Sequence, residues 1–302
     1  MAPVVVCVGL TTFDLVQRVA ALPGPNQKVA AEQQWYDVGG PAANAARVAA
    51  ALGCRVRLVT ALGTGPFAEL AARRLTGIEI VELAGAGHRL PVSAIAITPD
   101  GARSVISRNA AGAQVAPPGT GVVRDADVVL HDGHLLAASV RLGAQHRPIQ
   151  LLDGGSWKPG LERLLPSLDI AVVSADFAFP GGTPEQALDR LSAHGIPRLA
   201  RSAGADPVEL RIAGHPNRRL PVPRVAVVDT LGAGDVLHGA LAARLARGRD
   251  FTTALGEAIR LASRSVAGRG LTGVLAELTA PGESSADRRS KHRPAGPPGP
   301  PC

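Results

Sequence analysis

The chain has 302 residues, 46% of them hydrophobic and 19% charged, with a formal net charge of +7, which is enough apolar material for one large buried core. Aromatic residues make up only 3% of it, and no block of Lys and Arg occurs in its body, which argues against a nucleic-acid surface built from a basic stripe and stacking rings. The three cysteines, Cys7, Cys54 and Cys302, have neither disulfide-framework nor metal-site spacing, so a reducing, cytoplasmic setting is expected.

The first apolar run, Val4 to Leu10, is far shorter than the ~20 residues of a membrane span, and reads as the buried strand of a soluble protein with no membrane partner. Val56–Thr60, Asp127–His131, Gln150–Leu152 and Ile170–Ser174 read as further strands, and Pro41–Leu52, Phe67–Leu75 and Pro184–His194 as helices between them. That alternation predicts an α/β fold with a doubly wound, mostly parallel sheet. The helix from Pro41 has proline in its first turn and Gly53 just past its end, the asymmetry that helix-end sterics favour.

Two stretches, Lys28–Val38 and Pro91–Ser107, interrupt the rhythm. In the second, VSAIAIT and ARSVIS flank Pro-Asp-Gly as in a hairpin. Consecutive strands without a helix between them predict a small separate sheet, a lid whose strands lie within 15–38 and 91–108. Its exposed edges invite pairing, so a homodimer through the lid is expected. From Pro281 the sequence is rich in Pro, Gly, Ser and charge. The reading is therefore a folded domain over 1–280 and a disordered tail over 281–302.

Chemistry concentrates after Val225–Val228, read as an apolar strand. It is followed by Asp229-Thr230-Leu231-Gly232-Ala233-Gly234-Asp235 and by a helix with Leu237, Leu241 and Leu245 spaced four apart. The free N–H groups of a first helical turn at Gly232, Ala233 and Gly234 can converge on a phosphate, with the helix dipole behind them. Asp235 beside them is placed to take the proton of an attacking hydroxyl; the alternative is a helix-capping carboxylate. Neither GxxxxGK[ST] nor an early GxGxxG is present, which removes the Walker and dinucleotide readings.

The segment DTLGAGDVLHGA, Asp229 to Ala240, resembles the C-terminal signature of the PfkB sugar and nucleoside kinases. Val4–Gly9 followed by Asp14 resembles that family's first strand with its substrate-holding aspartate, and Gly39-Gly40-Pro41-Ala42-Ala43-Asn44 resembles its double-glycine element. Arg260–Gly270, with Ser263, is similar to the late helix and loop around the adenine. The resemblance spans about residues 4 to 275. It implies a ribokinase-like fold with a β lid, ATP as phosphoryl donor, Mg2+, and transfer to a hydroxyl of a small carbohydrate.

By the same resemblance Asp235 is the general base, with Gly232, Ala233 and Gly234 as the anion hole. Asp14, Gly39, Gly40, Asn44 and His134 bind the acceptor. Thr230, Gly232, Gly234, Lys158 and Ser263 bind the nucleotide. Ser174-Ala175-Asp176-Phe177 departs from the Asn-x-x-Glu of many relatives and resembles the ketohexokinase form, with Asp176 organising Mg2+ through water. Asp229, together with Gly268–Gly270, stands where relatives hold a monovalent cation such as K+. Two alternatives stay open: a nucleoside kinase on the same fold, and a non-catalytic sugar-binding homologue motivated by the altered Ser174–Phe177 and Arg201–Asp206 elements.

Overall fold

Successive side chains of a strand point to opposite faces, so a run of consecutive apolar residues is buried only where both faces of the sheet are covered. In the computed structural model, which describes residues 1–113, 115–145 and 147–280, strand β1 (Val4–Val8) meets that condition. Val5 and Cys7 face one helical layer and Val6 and Val8 the other, all of them fully buried. Each such side chain contributes about 1.5–3 kcal/mol by leaving water. The tail expected to be disordered, 281–302, lies outside the described residues.

Around β1 a nine-stranded sheet forms. Strands β4 (Arg55–Thr60) and β5 (Glu79–Glu82) lie on one side, and β8 (Val128–His131), β9 (Ile149–Gly154), β10 (Ile170–Ser174) and β11 (Arg198–Ala203) on the other, every neighbouring pair parallel. Strands β12 (Asp206–Ile212) and β13 (Arg218–Leu220) extend it antiparallel beyond β11. Helices α1 (Pro41–Ala51), α2 (Pro66–Arg74), α5 (Ala233–Leu245), α6 (Phe251–Ala267) and α7 (Gly270–Thr279) cover one face. Helices α3 (Leu136–Gly143) and α4 (Ala187–Ala193) cover the other. The chain leaves β1 toward β4 and later returns to its other side at β8. This reversal opens a crevice at the carboxyl ends of β1 and β8, where α/β proteins collect ligands.

A second sheet, ordered β3 (Ala31–Gly39), β2 (Thr12–Val19), β6 (Val92–Ile97), β7 (Arg103–Ser107), stands over that crevice. The hairpin read around Pro-Asp-Gly is present, with Gly101 left-handed at φ 82°. The lid begins earlier than its sequence suggests: β2 starts at Thr12, so Asp14 lies within a lid strand.

Val225–Val228 is not a strand. Val225, Val227 and Val228 are 37%, 60% and 50% exposed, and the segment runs as an extended loop. Apolar, β-branched composition alone did not give it a strand partner.

Candidate active site

Helix α1 opens at Gly40, where φ is 93° and an added Cβ would come 2.3 Å from the carbonyl oxygen of Leu10. Only glycine tolerates both the dihedral and the approach. Gly39 serves differently from its expected contact with the acceptor. A Cβ there would fall 1.9 Å from the Asp14 carboxylate, so its missing side chain makes room for Asp14, and it does not line the cleft. At the crevice floor Asp132 ties the pieces together. Its carboxylate accepts the N–H of Leu10 at 2.8 Å, of Ala42 at 3.2 Å and of His134 at 2.9 Å.

The space between lid and sheet is a cavity of about 790 Å³, within the range that holds small-molecule ligands. Asp14, Gly40, Asn44, His134, Thr230 and Gly232–Asp235 all line it. The Asp14 carboxylate accepts the Thr12 hydroxyl at 2.6 Å, and burial raises its pKa above the usual carboxylate range. Asn44 donates its amide N–H to Asp235 Oδ2 at 2.7 Å, and its own Oδ1 is buried without a partner among the described residues. A buried acceptor left open at a cleft wall is a place for a ligand hydroxyl.

Helix α5 begins after Gly232, which is left-handed at φ 75°, and the first ring closes from Val236 N–H to Gly232 O at 2.9 Å. The N–H groups of Gly234 and Asp235 precede that ring and have no intrahelical acceptor. No atom lies within 4 Å of where a Gly234 Cβ would sit, leaving an open cradle for an anion. Asp235 stands in the same turn. Desolvation, then the nearby Asp153 carboxylate, push its pKa up to about 8, against the opposing Asn44 hydrogen bond.

Besides Gly39, three expected residues do not reach this cleft. Ser263 is buried in α6 and donates its hydroxyl to Ile259 O at 3.0 Å, the backbone bond a serine makes in mid-helix. Asp176 is exposed beyond β10. Lys158 donates to Ser156 O at 2.9 Å and lies against Gly133, with burial lowering its pKa. Asp229 accepts the Leu231 N–H at 2.8 Å and presses on Gly270, where a Cβ would meet its Oδ2 at 2.8 Å. Among the described residues no group of three or more His, Cys, Asp or Glu is placed to hold a metal ion.

Some residues of the site carried no motif. Asp132 is one; its only sequence signal is the small Gly9 opposite, where a Cβ would overlap the carboxylate. His238 lies inside the Asp229–Ala240 signature, which assigns it no role; it sits under the first turn of α5 with Nδ1 2.7 Å from Gly234 O and 3.4 Å from Asp153. Arg103 of β7 reaches Thr230 O at 3.1 Å, joining the lid to the anion-binding turn.

Fold and sequence together define a phosphotransferase that acts on a hydroxyl group. The profile of the pfkB family carbohydrate kinases matches residues 2–277, and the chain belongs to that family. It is 26% identical to the ribokinase of Arabidopsis thaliana over 299 residues, covering 89% of this chain and 77% of the relative. Among solved structures, a candidate ribokinase from Agrobacterium tumefaciens superposes with TM-score 0.81 at 24% identity, covering 97% of this chain and 100% of its own. The structure of Arabidopsis thaliana ribokinase complexed with ribose and ATP gives 0.71 at 22% identity, with 92% and 99% covered. A nucleoside kinase of Methanocaldococcus jannaschii gives 0.68 at 16%, with 97% and 100% covered.

Proposed function

We propose that the protein transfers the γ-phosphoryl group of ATP to a hydroxyl of a small carbohydrate, with Asp235 as general base. The observation that carries this reading is the single turn of α5 that holds both a carboxylate of raised pKa and unclaimed N–H donors, beneath a lid. Asp235 takes the proton of the acceptor hydroxyl. The oxygen then bonds to the γ-phosphorus as the bond to the bridging oxygen breaks and ADP leaves. The N–H groups of Gly234 and Asp235 stabilise the charge on the phosphoryl oxygens, while that of Ala233, expected in the anion hole, is engaged by Thr230 O at 3.3 Å. Asp14 and the open Oδ1 of Asn44 accept hydrogen bonds from other hydroxyls of the acceptor, with Gly40 and His134 completing that wall.

Mg2+ fits as an ion carried on the nucleotide phosphates, since it keeps several waters and needs few protein ligands. Asp229 against Gly270 is the proposed place for K+. The acceptor is read as a sugar rather than a nucleoside because Trp35 is the cleft's one aromatic wall; Phe13, Tyr36 and Phe67 stack on one another outside it. The lid is proposed to pair with a second copy of the chain, and the cell compartment to be the cytoplasm; no helix among the described residues is long and apolar enough to cross a membrane.

Asp235→Asn keeps the shape of the site and removes the base. ADP release should fall by about 100-fold or more, while sugar and nucleotide still bind by calorimetry. Unchanged turnover would remove Asp235 from the role of base and favour the non-catalytic reading.

A further inference from the structure

The cleft-facing residues of β2 alternate as Thr12, Asp14, Val16 and Arg18, and the last has no counterpart in the chemistry described so far. Arg18 Nε is sealed from solvent without a hydrogen-bond partner among the described residues. Each carboxylate of the cleft is engaged elsewhere. Asp14 accepts from Thr12, Asp235 from Asn44 and Asp229 from Leu231, while Asp37 is held by Arg47 at 3.0 Å and Arg74 at 3.7 Å. A guanidinium nitrogen sealed from water without an acceptor is unfavourable, and an oxyanion relieves it through charge-assisted, two-pronged hydrogen bonds.

The lid register separates the acceptor side of the cleft from the donor side. Arg18, Ile97 and Arg103 form one row across β2, β6 and β7. Arg103, at the β7 end, already contacts Thr230 of the anion-binding turn. Arg18 stands two strand spacings away, about 10 Å, beside Gln33 of β3, which also lines the cleft. The donor's phosphates have the N–H groups of α5 and, on the same flank, Arg103 and Arg269.

We infer that Arg18, with Gln33 beside it, forms an oxyanion subsite for the acceptor, so that the preferred acceptor carries a carboxylate or a phosphate monoester besides the hydroxyl that is phosphorylated. This rests on the kinase reading above. It narrows the substrate class to sugar acids or sugar phosphates.

The test is ADP release with MgATP on matched acceptor pairs. A sugar acid or keto-deoxy sugar acid is compared with its neutral sugar, and a sugar monophosphate with its free sugar, using wild type, Arg18→Gln and Arg18→Lys. Wild type should favour one anionic member by roughly 10- to 100-fold in kcat/KM, and which pair shows it separates carboxylate from phosphate. The ratio should collapse toward one in Arg18→Gln and recover in part in Arg18→Lys. Turnover of neutral sugars with no anionic preference would overturn the subsite and leave the kinase standing. An equal loss with every acceptor, or a raised KM for ATP alone, would give Arg18 to the donor and also overturn it. Absence of all turnover, with anionic sugars binding wild type but not Arg18→Gln by calorimetry, would sustain the subsite and sink the kinase reading. No binding of either class would end both.

Discussion

Asn44 and Asp235 are 191 positions apart, yet the amide of one donates to the carboxylate of the other at 2.7 Å. That bond favours the ionised acid, while desolvation and Asp153 favour the neutral one, and the balance leaves the pKa at about 8. A general base must be ionised to work, so kcat/KM should rise with pH along an acid limb centred near 8 and level off above it. Asp153→Asn removes a neighbouring negative charge and should move that limb to lower pH; a limb that stays in place would detach it from Asp235. The same shift acts on stability with a definite sign. The folded state holds a proton here that the unfolded chain, with an ordinary carboxyl value of 3.8, releases, so this group's contribution is complete below that value and is lost as pH rises through about 8. Asp235→Asn should therefore gain in melting temperature relative to wild type between about pH 5 and about pH 9; a constant difference across that range would contradict the assignment.

What brings those two side chains together is the approach of α1 to α5. At Gly239 an added Cβ would sit 2.5 Å from Ala45 O and 2.9 Å from the Val48 Cβ, so the helices meet backbone to backbone over the alanines of α1. Gly239→Ala should cost about 1–3 kcal/mol by overpacking and lower kcat as Asn44 is pushed off Asp235. Thermal melts and turnover measured together check this, and a variant with normal stability and normal kcat would refute it. These helices were legible because each carries its own signals: Pro41 and Gly53 bracket α1, and small residues followed by spaced leucines announce α5. The parallel strands were legible as continuous apolar runs. Val225–Val228 has the same composition and no strand, because pairing depends on what lies beside a segment in space, which a local reading does not see. Asp132 and Arg18 were hidden for a related reason. Their meaning lies in what faces them across the cleft, while Ser263, read from its place in a motif, turned its hydroxyl to its own helix.

At the scale of the whole molecule, the lid is a four-stranded sheet whose outer strands, β3 and β7, have no strand beyond them among the described residues. Its cleft face is occupied by the site, and the apolar cluster there is small: Val16, Ile95 and Ile97, with Trp35 and Leu231 against them. Its other face carries a row that runs Ile106, Ala94, Leu15, Tyr36 across β7, β6, β2 and β3. Ile106 is 75% and Tyr36 46% exposed. An apolar row on an open sheet, bounded by two free edges, is unfavourable in a monomer and matches a second copy of itself, because a two-fold axis sets each row against its twin. Light scattering should therefore give a dimer at micromolar concentration, and Ile106→Glu, which sets two like charges near the axis, should give a monomer. Because the same strands carry Asp14 and Arg103, dissociation should also loosen the lid, raising KM for the acceptor more than it lowers kcat. A monomeric wild type, or an Ile106→Glu variant that stays dimeric, would show that the lid closes over its substrate without a partner.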